Sequence, residues 1–225
     1  MAFHYSPKVV TDGLVLYLDA ANPTSYISGS TAWNDLSRRG NNATLINGPA
    51  FNTGSLGSIA FDNTDDYATA SSSAFTFGTG NFTMDIWIKP LSFTTYGHML
   101  SLPDQNTFTL KFDTTADSPG GGIIYYYPYT NYGNTPSWKA TINTWYNITL
   151  ARLSNVGYTY LNGRFTGTSN NFNNNITTQT LSIHKGYSTE YAPSQMATIK
   201  VYNRALSAQE VLQNYNATKG RFGLT

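Results

Sequence analysis

FTMDIWIKP, residues 82–90, is the stretch whose reading decides the fold. Phe82, Met84, Ile86 and Ile88 fall on one face of an extended chain, and Thr83, Asp85, Trp87 and Lys89 on the other. A period of two is the signature of a strand with one face against a core; a helix would need apolar residues three and four apart. The pattern predicts that the first face is buried and that the second is at least partly wet.

The same alternation recurs outward in both directions. LVLYL (14–18), SIAF (58–61), TFTLKF (107–112), WYNITLAR (145–152), GYTYLN (157–162), TLSIH (180–184) and ATIKVYN (197–203) are short apolar or aromatic runs with turn residues between them. Asn162-Gly163 predicts a tight hairpin, because both residues tolerate positive φ. One helix is expected near the C-terminus, in LSAQEVLQNYNATKG. There Ser207 and Glu210 have capping-box spacing, Val211, Leu212 and Tyr215 make an apolar stripe, and Gly220 offers a stop. The asparagine-rich stretch 167–179 reads as a surface loop. Nothing resembles an interdomain linker, so the chain divides into an N-terminal arm, residues 1–12, and one domain, residues 13–225.

Composition narrows the function classes. The 225 residues fit one large all-β domain and include no cysteine, which excludes a disulfide framework and thiolate metal or redox chemistry. A net charge of +1, with 11% charged residues, gives no basic footprint for nucleic acid. No apolar run approaches a membrane span, and MAFHYSPKVVTDG has no apolar core of a secretory signal.

Several segments taken in order resemble the laminin-G-like branch of the concanavalin A-like lectin/glucanase fold. They are GLVLYLDAANPTSY with WNDLSRRGNNATLINGPAF, then SIAFDNTDDYA, FTMDIWIKP, TWYNITLAR with GYTYLNGR, and IKVYNRALSAQEVLQNYNATKGRFG. The resemblance implies an antiparallel jelly-roll β-sandwich with one short C-terminal α-helix. The wording of the first and last segments is similar to domains of tailed-phage virion proteins. One departure is SQMATIK, residues 194–200, where many members have Gly-x-Ile-Asp before the closing strand.

Hydrolysis is not expected. Glucanases of this fold carry an E-x-D-x-E cluster on one strand face, and retaining chemistry needs two carboxyl groups about 5–5.5 Å apart. This chain has only Glu190 and Glu210, the latter explained as a helix cap, and Asp85 stands without a second acid on its strand. His4, His98 and His184 lack zinc spacing and have no G-x-S-x-G partner; His184 reads as a hydrogen-bonded structural residue. FDNTDDY, with Asp62, Asp65 and Asp66, is the richest acidic cluster. Its acids suit either turn capping or a hard cation such as Ca2+. The resemblance implies a Ca2+ at a sandwich rim, with Asp62 and Asp65 as the leading ligands.

GGGIIYYYPYTNYGNTPSW, residues 120–138, concentrates aromatics with amides and no carboxylate. Tyrosine buries its ring and keeps a wet hydroxyl, so core and rim is one reading. Sugar binding is a second: Tyr127, Tyr129, Tyr132 and Trp138 could stack on a pyranose while Asn131 and Asn134 bond its hydroxyls. A protein–protein or homo-oligomeric face is a third, since Tyr and Trp dominate interface hot spots. The expectation is a non-enzymatic virion surface, decoration or fibre-associated protein that binds other virion proteins and glycans. A carbohydrate-binding or adhesion module of a bacterial surface or secreted protein is the alternative. Neither reading includes nucleic-acid binding or membrane insertion.

Overall fold

A computed structural model describes residues 7–94, 97–102, 108–112, 139–170, 172–186 and 191–225, together with the backbone of 125–126. Its strands follow the alternation. In chain order they are β1 (Leu14–Asp19), β2 (Ala32–Trp33), β3 (Ala43–Ile46), β4 (Ala50–Asn52), β5 (Ser58–Phe61), β6 (Tyr67–Ser71), β7 (Phe82–Pro90) and β8 (Gly97–Leu102). Next come β9 (Phe108–Phe112), β10 (Tyr125–Tyr126), β11 (Tyr146–Leu153), β12 (Val156–Leu161), β13 (Arg164–Ser169), β14 (Thr180–Ile183) and β15 (Ser194–Tyr202). Among the described residues they form two antiparallel sheets. The first runs β13-β12-β11-β7-β15-β5-β4, with β1 also on β15; the second runs β10-β9-β8-β14-β6-β3-β2.

The sheets stack through their apolar faces, as a β-sandwich requires. Phe82, Met84, Ile86 and Ile88 of β7 meet the same core as Leu110 and Phe112 of β9 and Leu181 and Ile183 of β14. The expected core face is therefore the observed one. The Asn162-Gly163 turn is also as expected, with φ of 49° and 73°.

The other face of β7 departs from expectation. Thr83, Asp85 and Trp87 are buried, not partly wet. Trp87 is covered from more than a hundred residues away, by helix α1 (Ala208–Thr218) and the 3-10 turn Lys219–Phe222 that continues it, whereas Asp85 is bonded to Lys200, Asn147 and Thr149 and Thr83 to Arg204 and Leu206. Trp87 stacks on Phe222 at 3.9 Å and on Tyr215 at 5.8 Å, and its Nε1–H donates to Thr218 Oγ1 at 2.8 Å. Trp145 extends the ring series against Phe222.

The helix begins on the predicted capping box of Ser207 and Glu210. The α-helix ends at Thr218, just before the expected stop; Gly220 lies inside the 3-10 turn that follows, and Gly223 takes the left-handed cap of that turn at φ 70°. Its stripe also differs: Leu212 is 44% exposed, whereas Val211 and Asn214 are buried. Asn214 is buried because its amide is used, accepting from Val10 N–H at 2.9 Å and donating to Tyr202 Oη at 2.9 Å. Val10 thus packs with Leu14, Tyr160, Tyr202, Leu206 and Val211 in a second, smaller core.

Candidate functional site

Tyr127, Tyr129, Asn131, Tyr132, Asn134 and Trp138 lie outside the described residues. Their anchors do not. β10 pairs Tyr125 with Lys111 and Tyr126 with Leu110 at the edge of the second sheet. The described chain resumes at Lys139 and Ala140 and enters β11 in the first sheet. The aromatic segment therefore connects the two sheets, as sequence position alone did not reveal.

The acidic stretch is likewise a crossing, from β5 in the first sheet to β6 in the second. Asp62 Oδ1 accepts from the backbone N–H of Thr64 (2.8 Å), Asp65 (3.2 Å) and Asp66 (3.3 Å), while Asp66 Oδ2 accepts from Asp62 N–H (3.1 Å). These amide donors, that of Thr64 foremost, hold the Asp62 carboxyl below its ordinary value; burial pushes that of Asp66 up. One oxygen from each of Asp62, Asp65 and Asp66 lies within 4.8 Å of the others. Ligands 2.3–2.6 Å from a shared Ca2+ would be spread about this far, so the donor set fits the ion. Asp62 Oδ1 and Asp66 Oδ2 already serve the turn as acceptors, so an ion would draw on the other oxygens of the three acids.

Asp85 is the one acid of β7, and its surroundings take it out of use. Register places Lys200 of β15 on one side of it and Thr149 of β11 on the other. Its carboxylate accepts from Lys200 Nζ at 3.0 Å, Asn147 Nδ2 at 3.2 Å and Thr149 Oγ1 at 3.2 Å. Beyond Lys200, Tyr17 of β1 lies with its ring 5.6 Å from Nζ, and burial pushes its phenol up. A carboxylate that is buried, neutralised and saturated with donors cannot exchange protons with a substrate.

His184 is the structural residue expected. It leaves β14 with φ 70°, stacks on Phe61 at 4.5 Å, and faces Ser194 Oγ with Nε2 at 2.5 Å. Burial pushes its imidazole down to about 3. Arg152 gave no signal in the sequence, yet its guanidinium is buried. It donates to the carbonyls of Gly80, Asn174 and Gly78 at 2.7–2.8 Å and lies over the rings of Phe82 and Phe172. It ties two loops at one end of the sandwich.

Solved structures share this architecture. The binding domain of Paraclostridial Mosquitocidal Protein 1 is similar over 92% of this chain and 52% of that one, at 16% identity and TM-score 0.69. Domain 4 of AbnA, a GH43 extracellular arabinanase from Geobacillus stearothermophilus solved in complex with arabinotriose, is similar over 90% of this chain and 98% of that one. Its identity is 13% and its TM-score 0.71. Trypanosoma rangeli sialidase in complex with sialic acid is similar over 93% of this chain but 33% of that one, at 15% identity and TM-score 0.67. The chain thus spans about half of the first protein, a third of the sialidase and nearly all of the arabinanase domain. At such identities the likeness shows the fold alone. No curated protein matches the sequence. Residues 62–212 match the family model described as concanavalin A-like lectin/glucanases superfamily.

Proposed function

The chain belongs to the concanavalin A-like lectin/glucanases superfamily, and from that premise we propose that it is a non-enzymatic glycan-binding module. The observation that carries the binding half is the likeness to the arabinanase domain solved with arabinotriose, which runs over 98% of that domain. The non-enzymatic half is supported by Asp85, whose buried carboxylate is locked to Lys200. The contact residues in this reading are Tyr127, Tyr129, Tyr132 and Trp138, which stack on sugar rings, with Asn131 and Asn134 bonding hydroxyls. A rim Ca2+ on Asp62 and Asp65 belongs to the same proposal. Titration with arabinotriose and with bacterial envelope polysaccharides tests it. Weak, salt-insensitive binding that Tyr129→Ala and Trp138→Ala each reduce is expected; adsorption unchanged in both variants refutes it.

The biological setting we propose is the virion surface, where the module would decorate a capsid or accompany a tail fibre. This reading rests on the wording of GLVLYLDAANP and YNRALSAQEVLQNYNATKGRFG. Mass spectrometry of purified particles tests it, and recovery of the protein only from a bacterial surface or culture medium favours an adhesion module instead.

A further inference from the structure

NDLSRRGNN, residues 34–42, is a loop built inward onto one carboxylate. Asp35 accepts from Tyr17 N–H (2.8 Å), Ser37 N–H (2.8 Å), Ser37 Oγ–H (2.7 Å) and Asn41 N–H (3.0 Å), and its own N–H donates to Asn42 Oδ1 (2.9 Å). A bulge in β1 frees the Val15 carbonyl from the ladder, and that oxygen accepts from Asn41 Nδ2 at 2.7 Å and Ser37 Oγ at 3.2 Å. Bulges commonly redirect groups in this way.

The turn that results puts two cations outward. Arg38 adopts φ 68° and Gly40 φ 75°, both in the left-handed region. A non-glycine residue held there by so many hydrogen bonds is an over-determined feature of the kind found at functional sites. Arg38 and Arg39 are exposed, and no carboxylate pairs with either among the described residues. Arg204, beside Asn203, is by contrast neutralised by Asp12 at 2.8 Å and Glu210 at 2.6 Å.

Arg39 stands at an open cleft of about 320 Å3, lined also by Val15, Asn41, Ser72, Ala74 and Asn203. That volume is at the lower end of the range for small-ligand sites. Its chemistry is one unpaired guanidinium, two amide side chains, one hydroxyl and a small apolar patch. The planar guanidinium fork matches a carboxylate with two parallel hydrogen bonds. Amides both donate and accept, as sugar hydroxyls do. Asn41 Nδ2 is committed to Val15, which leaves its Oδ1 for the cleft.

We propose that this cleft takes the carboxylate-bearing ring of an acidic saccharide, with Arg39 on the carboxylate and Asn41, Ser72 and Asn203 on the hydroxyls. The inference rests on the glycan-binding reading and assigns it a second subsite, far in sequence from residues 127–138, and a charge class.

Isothermal titration of the full chain with tri-galacturonate, arabinotriose and inorganic phosphate separates the outcomes. Tri-galacturonate is expected to bind, to weaken as salt rises, and to lose about 10- to 100-fold in affinity in Arg39→Gln, the scale of a charge-assisted contact. Asn203→Ala gives a smaller loss and Arg38→Gln almost none. Both arginines are exposed, so matching melting curves show that the variants are folded. Galacturonate affinity untouched by Arg39→Gln, or absent while arabinotriose binds, overturns the subsite and leaves the proposed function standing. Phosphate binding as tightly as the saccharide overturns the sugar-specific part. Failure of both saccharides overturns the two readings together.

Discussion

Lys200 Nζ lies 3.0 Å from Asp85 Oδ1, and both side chains are 0% exposed. An ion pair so placed contributes little net stability against an apolar replacement, but removal of one partner strands the other charge. Lys200→Met is therefore expected to cost about 3–5 kcal/mol in urea unfolding. The pair Asp85→Leu with Lys200→Met should recover most of that loss. A single variant as stable as the parent would mean that water reaches the site.

Stability should fall with acid earlier than carboxylates alone would make it. His184 is held at about 3 by burial against an ordinary 6.5. The unfolded chain therefore binds a proton between those values that the folded chain refuses. Its contribution is complete above pH 6.5 and is lost as pH falls toward 3, at up to about 1.4 kcal/mol per unit. Glu210, depressed from 4.5 to about 2 chiefly by Arg204, acts only lower, its stabilisation present above 4.5 and lost as pH falls through 2. Between pH 6.5 and 4.5 the slope should flatten in His184→Asn, a residue that tolerates the left-handed φ. An unchanged slope in chemical denaturation at several pH values would assign it elsewhere.

The C-terminal cover has one main clasp. Arg221 donates to Asp19 Oδ1 at 2.6 Å, to Ser55 O at 2.7 Å and to the carbonyl of Gly57. Arg221→Ala should cost about 2–3 kcal/mol, the worth of charge-assisted bonds in a partly buried setting. It should also loosen Phe222 from Trp87 and Trp145. Hydrogen exchange that quickens over residues 208–222 while β7 stays protected is the expected reading; uniform protection would locate the clasp in the ring stack alone.

The rim acids separate into two roles. Asp62→Ala should lower the melting temperature with or without Ca2+, because three amide donors lose their acceptor, a change of about 1–2 kcal/mol. Asp65→Asn should leave the unliganded protein unchanged and abolish any rise in melting temperature that millimolar Ca2+ gives the parent. No rise in the parent would reduce FDNTDDY to a capped turn.

The core was legible where a residue's fate depends on its own strand. Phe82, Met84, Ile86 and Ile88 alternate, and the sandwich buries them on that account. Thr83, Asp85 and Trp87 were misread because their place on the second face implied water, while Trp87 is covered by Tyr215, Thr218 and Phe222, Asp85 is paired with Lys200, and Thr83 is bonded to Arg204 and Leu206. Leu212, expected in the stripe, is exposed while Asn214 is buried for a related reason: burial went to the residue whose amide could bridge Val10 and Tyr202. The cleft beside Arg39 left no periodic trace. Its members come from β1, the 34–42 loop, the turn after β6 and the residue after β15, positions that no single run of sequence brings together.

β15 runs between β7 on one side and β1 and β5 on the other, so the middle of the first sheet is made from residues 194–202. During synthesis, every earlier strand of that sheet emerges before the one that joins them. The nascent chain must wait with unpaired edges until this late ribbon arrives. Closure of this sheet consequently waits for residues 194–202 and needs long loop closures, which makes it slow by its topology while β1 and β7 remain apart.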